Sequence, residues 1–312
     1  MRILLTGASS FTGFWFASEL SRAGHTVTAT FRQRSYEGTR RSRVDLLRPS
    51  VTPAWEAPFG SPAFLDLLQQ KWDLFCHHGS TVDNYGSWDF DPIAATQQNT
   101  ANLRAVLPRL AMNGCRAVVF TGSVFEPYEG KGDPECRAFS PYGLSKHMSF
   151  ELFRLECRRV EIRLRKFVIP NPFGPYEELR FTSHAVREWS EGRIPIVFSP
   201  DYVRDNIHVS LLAQAYRRFC EGALEPNSPS HCAPSGYVET QGTFARRFAR
   251  EIGKRLGRDL RFEFQGQAEF TEPKARFNSQ PATELIAGWL EEDAWAELTE
   301  YYRQHFFAKT LV

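Results

Sequence analysis

A doubly wound α/β fold with a parallel sheet and a smaller second domain is what this 312-residue sequence predicts. Three observations predict it. The chain opens with strand, glycine-containing turn, helix and second strand inside its first 31 residues. Strand-like runs such as "DLFCHH", "RAVVF" and "IRLRKFVIP" then recur between stretches of helical period. After Asn171 the chain passes into the smaller domain, with "HAVREWSEG" as a helix and "EIGKRLGRDLRFEFQ" as helix then strand.

Each opening element has its own warrant. "RILL" is an apolar run of strand length. Phe14 to Ala23 places Phe14, Phe16, Ala17 and Leu20 on one helical face. "AGHTVTATF" is a turn followed by a strand of β-branched residues. Between the first strand and the helix stands "TGASSFTG". A helix N-terminus there offers amide donors and a positive dipole end to a pyrophosphate. Gly7, Ser9, Ser10, Phe11, Thr12 and Gly13 are therefore candidate dinucleotide-binding residues, with Ser10 where a middle glycine is usual. The alternative is a tight turn in which Gly13 only lets the helix pack. The second strand ends "TATFRQR": Phe31 occupies the place of the acid that holds an NAD ribose, and Arg32 and Arg34 follow. An arginine grips a 2′-phosphate that a carboxylate repels, so NADP(H) is preferred over NAD(H). The nearby Arg40, Arg41 and Arg43 read as a solvated face.

The bulk numbers set limits. The residues are 42% hydrophobic and 24% charged, with a net charge of +2. That charge is too small to make nucleic acid or an anionic membrane the main partner. No run approaches the roughly 20 apolar residues of a membrane span. The six cysteines are far apart and form no CxxC pair, which predicts free thiols and a cytoplasmic location. Three apolar residues between Arg2 and Thr6 make no secretory signal.

The reacting groups come from the middle of the chain. "RAVVF" leads into Thr121, Gly122 and Ser123, and "SPYGLSKHMSFE" places Tyr142 and Lys146 four apart on one helical face. A free tyrosine has a pKa near 10, and an ammonium one turn away is expected to lower it. A serine at a strand end, with this pair, suits proton transfer to a carbonyl or alcohol while hydride moves at the same carbon. Adjacent His77 and His78 point to opposite faces of a strand, so no metal site is read there.

With these residues in hand, the sequence resembles the extended short-chain dehydrogenases/reductases, in their nucleotide-sugar epimerase/dehydratase/reductase group, across nearly the whole chain. The first 31 residues resemble that family's opening βαβ unit. "VDLLRP" resembles its "DL" step, which implies Asp45 and Leu46 near an adenine. "DLFCHHGS" resembles the following strand and implies His77 and Gly79 at the cofactor and Ser80 at the substrate. "QNTANL" supplies Asn99, and "PNPFGP" supplies Pro170 for the cofactor and Asn171 for the substrate. "YVRDNIHV" implies that Arg204 holds a substrate diphosphate. Tyr85, in the aromatic loop "DNYGSWDFD", lines the sugar pocket or plugs a core edge. Arg180 binds a nucleotide or sits on the surface. Aligning on Gly-Ser makes Ser123 the catalytic hydroxyl; counting back from "VF" makes it Thr121, and Ser123 is preferred.

The resemblance implies a Rossmann-type doubly wound parallel sheet over residues 1–168, rejoined by about 203–222. A smaller C-terminal α/β substrate domain takes most of 169–312. "HAVREWSEG", the helix of "EIGKRLGRDLRFEFQ" and "EEDAWAELTEYYRQHFF" are its helices. The segments 92–114 and 140–159 are candidate long helices for a homodimer. The family's 4,6-dehydratases follow the catalytic hydroxyl with acids, whereas Glu126 is the only acid near Ser123. The expected activity is NADP(H)-dependent reduction of a nucleotide-linked 4-keto-6-deoxy sugar, with Tyr142 as acid. The alternative is a nucleotide-sugar epimerase with retained NAD(P). A 4,6-dehydratase or a non-catalytic NADP-binding protein ranks below both.

Overall fold

The computed structural model describes residues 1–266 and 272–308; residues 267–271 and 309–312 of the expected second domain lie outside it. The first half runs β1 (Arg2–Leu5), α1 (Phe11–Arg22), β2 (Thr26–Thr30), α2 (Gly38–Leu47), β3 (Thr52–Ala54), α3 (Pro62–Leu67) and β4 (Leu74–His77). It continues α4 (Pro92–Asn99), α5 (Leu103–Met112), β5 (Ala117–Ser123), α6 (Pro141–Arg159) and β6 (Arg163–Ile169). Then follow β7 (Asn171–Phe173), α7 (Phe181–Ser190), β8 (Ile196–Val197), β9 (Val203–His208), α8 (Val209–Glu221), β10 (His231–Cys232) and β11 (Pro234–Ser235). The last described elements are β12 (Tyr237–Thr240), α9 (Gln241–Leu256), β13 (Glu263–Phe264), β14 (Gln280–Pro281), α10 (Ala282–Leu285) and α11 (Glu291–Tyr302).

Seven strands form one sheet in the order β10-β6-β5-β4-β1-β2-β3, every neighbouring pair parallel. The order reverses between β1 and β4, so the strand ends leave a crevice there, where such sheets bind ligands. Residues alternate between two buried layers. Along β5, Ala117 and Val119 join a cluster with Phe16 and Tyr216, while Val118 and Phe120 join Phe64 and Phe153 on the other face. A third cluster, around Trp189, Phe244, Phe248, Trp295 and Tyr302, is the core of the smaller half.

Within 203–222, α8 packs on the large sheet through Leu211, Leu212 and Tyr216, and Ile207 of β9 joins the same cluster. Its strand, β9, instead pairs with β7 and β12 in a separate three-stranded sheet. The segment 92–114 is two helices, not one. Asn102 takes a left-handed backbone (φ 52°) between them and donates from Nδ2 to the Gly60 carbonyl at 2.7 Å. Gly60 lies so near that an added Cβ would stand 2.0 Å from the Ala101 carbonyl oxygen. No helix among the described residues is long and apolar enough to cross a membrane.

Candidate active site

The opening loop is built by close backbone approach. Gly7 has φ +78°, and a Cβ on it would lie 2.7 Å from the Gly79 amide nitrogen. A Cβ on Gly13 would lie 2.1 Å from the Gly7 carbonyl oxygen. Ser10 caps α1: its hydroxyl accepts from the Gly13 amide at 3.2 Å and lies 2.8 Å from the Gly7 carbonyl. The helix therefore starts at Phe11, three residues earlier than the apolar pattern implies. Phe11 and Thr12 form its first turn, where amides lack helical acceptors. Thr6, assigned no role from the sequence, ties β1 to β4: its hydroxyl accepts from the amides of His78 at 3.1 Å and Gly79 at 2.9 Å. These glycines make a cradle that any side chain would fill, and it fits a dinucleotide pyrophosphate.

His78 explains the serine in the loop. Its Nε2 lies 3.1 Å from both the Ser10 and the Thr12 hydroxyls. Burial, aided by the Lys146 charge, pushes its pKa down to about 3, so the ring is neutral. His77 faces the other way, as strand alternation requires, among Phe59, Phe75, Phe120 and Phe153. Its ring is core rather than cofactor contact, which corrects the role inferred by resemblance.

Beyond β2, Phe31 is buried and stacks on Trp55 at 4.6 Å. Arg32 is exposed, with Nη2 3.4 Å from the Ser80 carbonyl. Arg34 is exposed and paired with Glu56 at 2.7 Å. Asp45 and Leu46 are not at the crevice. They are exposed residues in the last turn of α2, which runs antiparallel to the strands and so ends at the opposite edge of the sheet; Asp45 pairs with Arg41 at 3.5 Å. The residues that follow β3 towards the crevice are Glu56 and Ala57, and the Ala57 amide donates to the Phe31 carbonyl at 2.9 Å. Arg43 also departs from expectation, being fully buried. Its guanidinium donates to the carbonyls of Ser9 (3.0 Å) and Tyr176 (2.7 Å) and pairs with Glu178.

Around the predicted reacting groups, the Lys146 ammonium is buried and donates to the Thr121 carbonyl at 2.6 Å. Burial pushes its pKa down to about 8; Glu126 opposes that shift and Lys166 adds to it. Tyr142, in the first turn of α6, has its ring 5.4 Å from Tyr85 and 6.0 Å from Phe90. The Arg180 guanidinium sits 6.0 Å from the Tyr85 ring, on the same aromatic group as Tyr142. The tyrosine's pKa is raised, opposite to the expectation from Lys146. Burial is the main cause, Glu126 and Tyr85 add to it, and Arg180 works against it.

Ser123 ends β5 with its hydroxyl accepting from the Phe125 amide at 3.2 Å. The Thr121 hydroxyl is buried without a partner, on the strand face shared with Val119 rather than the face on which α6 packs. Asn99 is buried, accepts from the Thr81 amide at 2.8 Å and donates to Ser149 at 3.3 Å; it holds the loop after β4 against α6. The Ser80 hydroxyl and the Asn171 amide nitrogen are buried without partners, one after β4 and one at the start of β7. Pro170, also buried, separates β6 from β7. Arg204 is paired with Glu272 at 2.8 Å beside a pocket of about 190 Å³ lined by Ser199, Tyr202 and Gln241. A roomier pocket of about 610 Å³ opens on a different flank, between Thr39, Glu177, Arg187 and Tyr301. It holds none of the predicted reacting groups, so volume alone does not mark the chemistry.

Comparison with known proteins agrees with this fold. Residues 3–229 match the model of the NAD dependent epimerase/dehydratase family. The fold is similar to UDP-glucose 4-epimerase from Thermotoga maritima, solved with UDP-glucose: 17% identity, TM-score 0.75, covering 97% of this chain and 99% of that one. It is similar to UDP-glucuronic acid 4-epimerase from Bacillus cereus, solved as a tyrosine-to-phenylalanine mutant with a fluorinated UDP-sugar and NAD: 16% identity, TM-score 0.73, covering 97% and 99%. It is also similar to the Thermus thermophilus UDP-glucose 4-epimerase solved with NAD: 15% identity, TM-score 0.73, covering 98% and 100%. No curated protein matches by sequence. With 227 of 312 residues matched, the chain is an NAD(P)-dependent enzyme of the extended short-chain dehydrogenase/reductase type and belongs to the NAD dependent epimerase/dehydratase family.

Proposed function

We propose that this enzyme inverts C4 of a nucleotide-linked sugar by removing and returning hydride at that carbon, with a retained nicotinamide dinucleotide. One observation carries the reading. Lys146 bonds the Thr121 carbonyl and the Tyr142 ring lies 6.4 Å from that of Phe125, residues either side of Ser123, while Glu126 is fully buried and paired with Lys166 at 2.6 Å. A dehydratase needs an acid facing the sugar; here the nearby acid faces inward. The three similar structures named above are UDP-sugar 4-epimerases, which favours inversion over net reduction.

A bound nicotinamide dinucleotide supplies the hydride acceptor and donor; Gly7, Ser10, Gly13 and Lys146 would hold it. Tyr142 takes the proton of the C4 hydroxyl during oxidation and gives it back during reduction. Its raised pKa suits the second half, and the positive charge of Arg180, which works against that rise, serves the first. Ser123 hydrogen-bonds the C4 oxygen during each transfer; between the two, the 4-keto sugar leaves these contacts and turns its opposite face to the dinucleotide, so that the returned hydride inverts C4. Arg204, on exchanging Glu272 for phosphate, holds the diphosphate, and Ser80, Tyr85, Asn171 and Arg180 line the sugar side.

A second reading is net NADPH-dependent reduction of a 4-keto-6-deoxy sugar. The arginines after Phe31, where an acid would hold an NAD ribose, favour it. In both readings Ile93, Leu144, Leu152 and Leu155, exposed on α4 and α6, form the homodimer face. The test is to release and identify any dinucleotide in the purified protein, then supply UDP-sugars and 4-keto-6-deoxy nucleotide sugars with NADPH. Formation of the 4-epimer without net cofactor change supports inversion. Stoichiometric NADPH oxidation by a ketosugar moves the assignment to the reductase, and neither result with any donor overturns both.

A further inference from the structure

Directly behind Ser123 is a buried ionic cluster that the proposed chemistry does not use. One Glu126 carboxylate oxygen accepts the Ser123 amide at 2.8 Å. The other accepts the Lys166 ammonium at 2.6 Å. Lys166 also reaches Glu129 at 2.8 Å, and Glu129 meets the half-exposed His231 at 2.9 Å. Burial opposes the ammonium, yet the two glutamates hold the Lys166 pKa above its ordinary value. The turn closes with the Glu126 amide donating to the Ser123 carbonyl at 3.0 Å. From the smaller half, Arg276 donates to the carbonyls of Val124 and Glu126 and pairs with Asp133. Gly122 is required by the same cluster: a Cβ there would stand 2.7 Å from Lys166 Cε and 2.8 Å from Glu126 Oε1.

We propose that Glu126, clamped by Lys166, is a positioning residue that fixes the Ser123 turn and so aims the Ser123 hydroxyl at the substrate oxygen; this rests on the reading of Ser123, Tyr142 and Lys146 as the reacting set. A carboxylate bonded at both oxygens is a rigid strut. Its amide contact sets the backbone of Ser123, and its ion pair ties that backbone to β6. Buried pairs of this kind are weak evidence for stability but lock geometry when each member is satisfied.

Two measurements test it. The first needs no substrate: amide hydrogen exchange in the full-length protein. In Glu126→Ala the Ser123 amide loses protection, while Val118 and Val119 in the middle of β5 keep theirs. Unchanged exchange at Ser123 overturns the clamp. The second is steady-state kinetics with the donor that the wild type turns over. Glu126→Ala is expected to lower kcat about 10- to 100-fold, the scale of a reacting group displaced by about 1 Å, with KM within about twofold. Lys166→Met lowers kcat alike. Combining it with Glu126→Gln, which removes the stranded charge and keeps an acceptor for the Ser123 amide, restores part of the loss. Gly122→Ala, which leaves both charges in place but pushes them apart, gives the same loss in kcat. Near-wild-type kcat in Glu126→Ala overturns the proposal, as do kcat and KM changes that merely track the melting temperature. A wild type inactive on every nucleotide sugar instead overturns the reaction reading, and the catalytic half of this proposal with it, while the exchange result stands on its own.

Discussion

Replacing Arg43 with methionine is expected to cost about 2–4 kcal/mol of stability and to weaken dinucleotide binding. The guanidinium is fully buried, with two donors on the carbonyls of Ser9 and Tyr176 and a third on Glu178. Burial lowers its pKa, the Glu178 charge opposes that, and the side chain stays a cation at neutral pH. Three hydrogen bonds from a charged group are worth roughly 1.5–3 kcal/mol each, but desolvating the cation cancels much of that sum. Most of the cost comes from what the substitution leaves behind: two carbonyls without donors, at about 1–3 kcal/mol each, partly offset by packing of the methionine. At about 2–4 °C per kcal/mol, the melting temperature should fall by roughly 5–15 °C. Because Ser9 is in the opening loop and Tyr176 begins the path to α7, the dinucleotide Kd should rise as well. Thermal unfolding with and without dinucleotide, beside fluorescence titration, reads both effects. Arg43→Lys keeps the charge but not the planar fork, and should recover less than half of the loss. A melting temperature within about 1 °C of wild type, with unchanged Kd, would refute the bridge.

Gly13→Ala should destabilise by about 1–3 kcal/mol or more and abolish dinucleotide binding, because its Cβ would meet a carbonyl oxygen that cannot turn aside; Gly86→Ala, in open space, should stay within about 0.5 kcal/mol of wild type. Lys146 should set an alkaline limb: kcat/KM falls as pH rises through about 8, where the ammonium is lost. The same group gives stability the opposite trend, since its folded pKa is below its unfolded value. Its stability penalty is present at neutral pH and disappears between about 8 and the ordinary lysine range, which urea midpoints across that window will show. Arg32→Ala should lower the NADPH-over-NADH preference by about tenfold or more, and Arg34→Ala by less, since Arg34 already pairs with Glu56; equal loss of both cofactors would remove the 2′-phosphate argument.

What was legible in the sequence was what the backbone itself demands. Gly7 and Gly13 could be read because close approach excludes every other residue, and the β-branched runs could be read because buried strands need them. The illegible parts depend on partners distant in sequence. Arg43 stood in an arginine-rich run, and only its i+4 spacing to Leu47 hinted that it faces inward. The Asp-Leu match fell on a helix because the true strand there, "TPA", carries Pro53 and does not read as a strand; it is an edge strand, where proline is tolerated. Lys166 had a signal that went unread: a lysine within an otherwise buried strand needs a buried partner. The Tyr142 shift was reversed because helical spacing brings Lys146 near, but tertiary burial and Glu126 decide the sign.

The departures from the family pattern also acquire a common physical form. Ser10 in place of a glycine is bonded to His78, 68 residues away. Phe31 in place of an acid is buried against Trp55. Glu126, in the turn after Ser123, is neutralised by Lys166. Each is half of a compensated pair, and a compensated pair adjusts packing without itself requiring new chemistry. Read singly, Phe31 implied a change of cofactor; read with Trp55, it is a core contact, and restoring an acid there would bury a charge. Arg32 differs from all three: it is exposed, and its contact is a long one to the Ser80 carbonyl. Core packing does not account for it, so Arg32 is the side chain whose replacement tests the preference between NADP(H) and NAD(H).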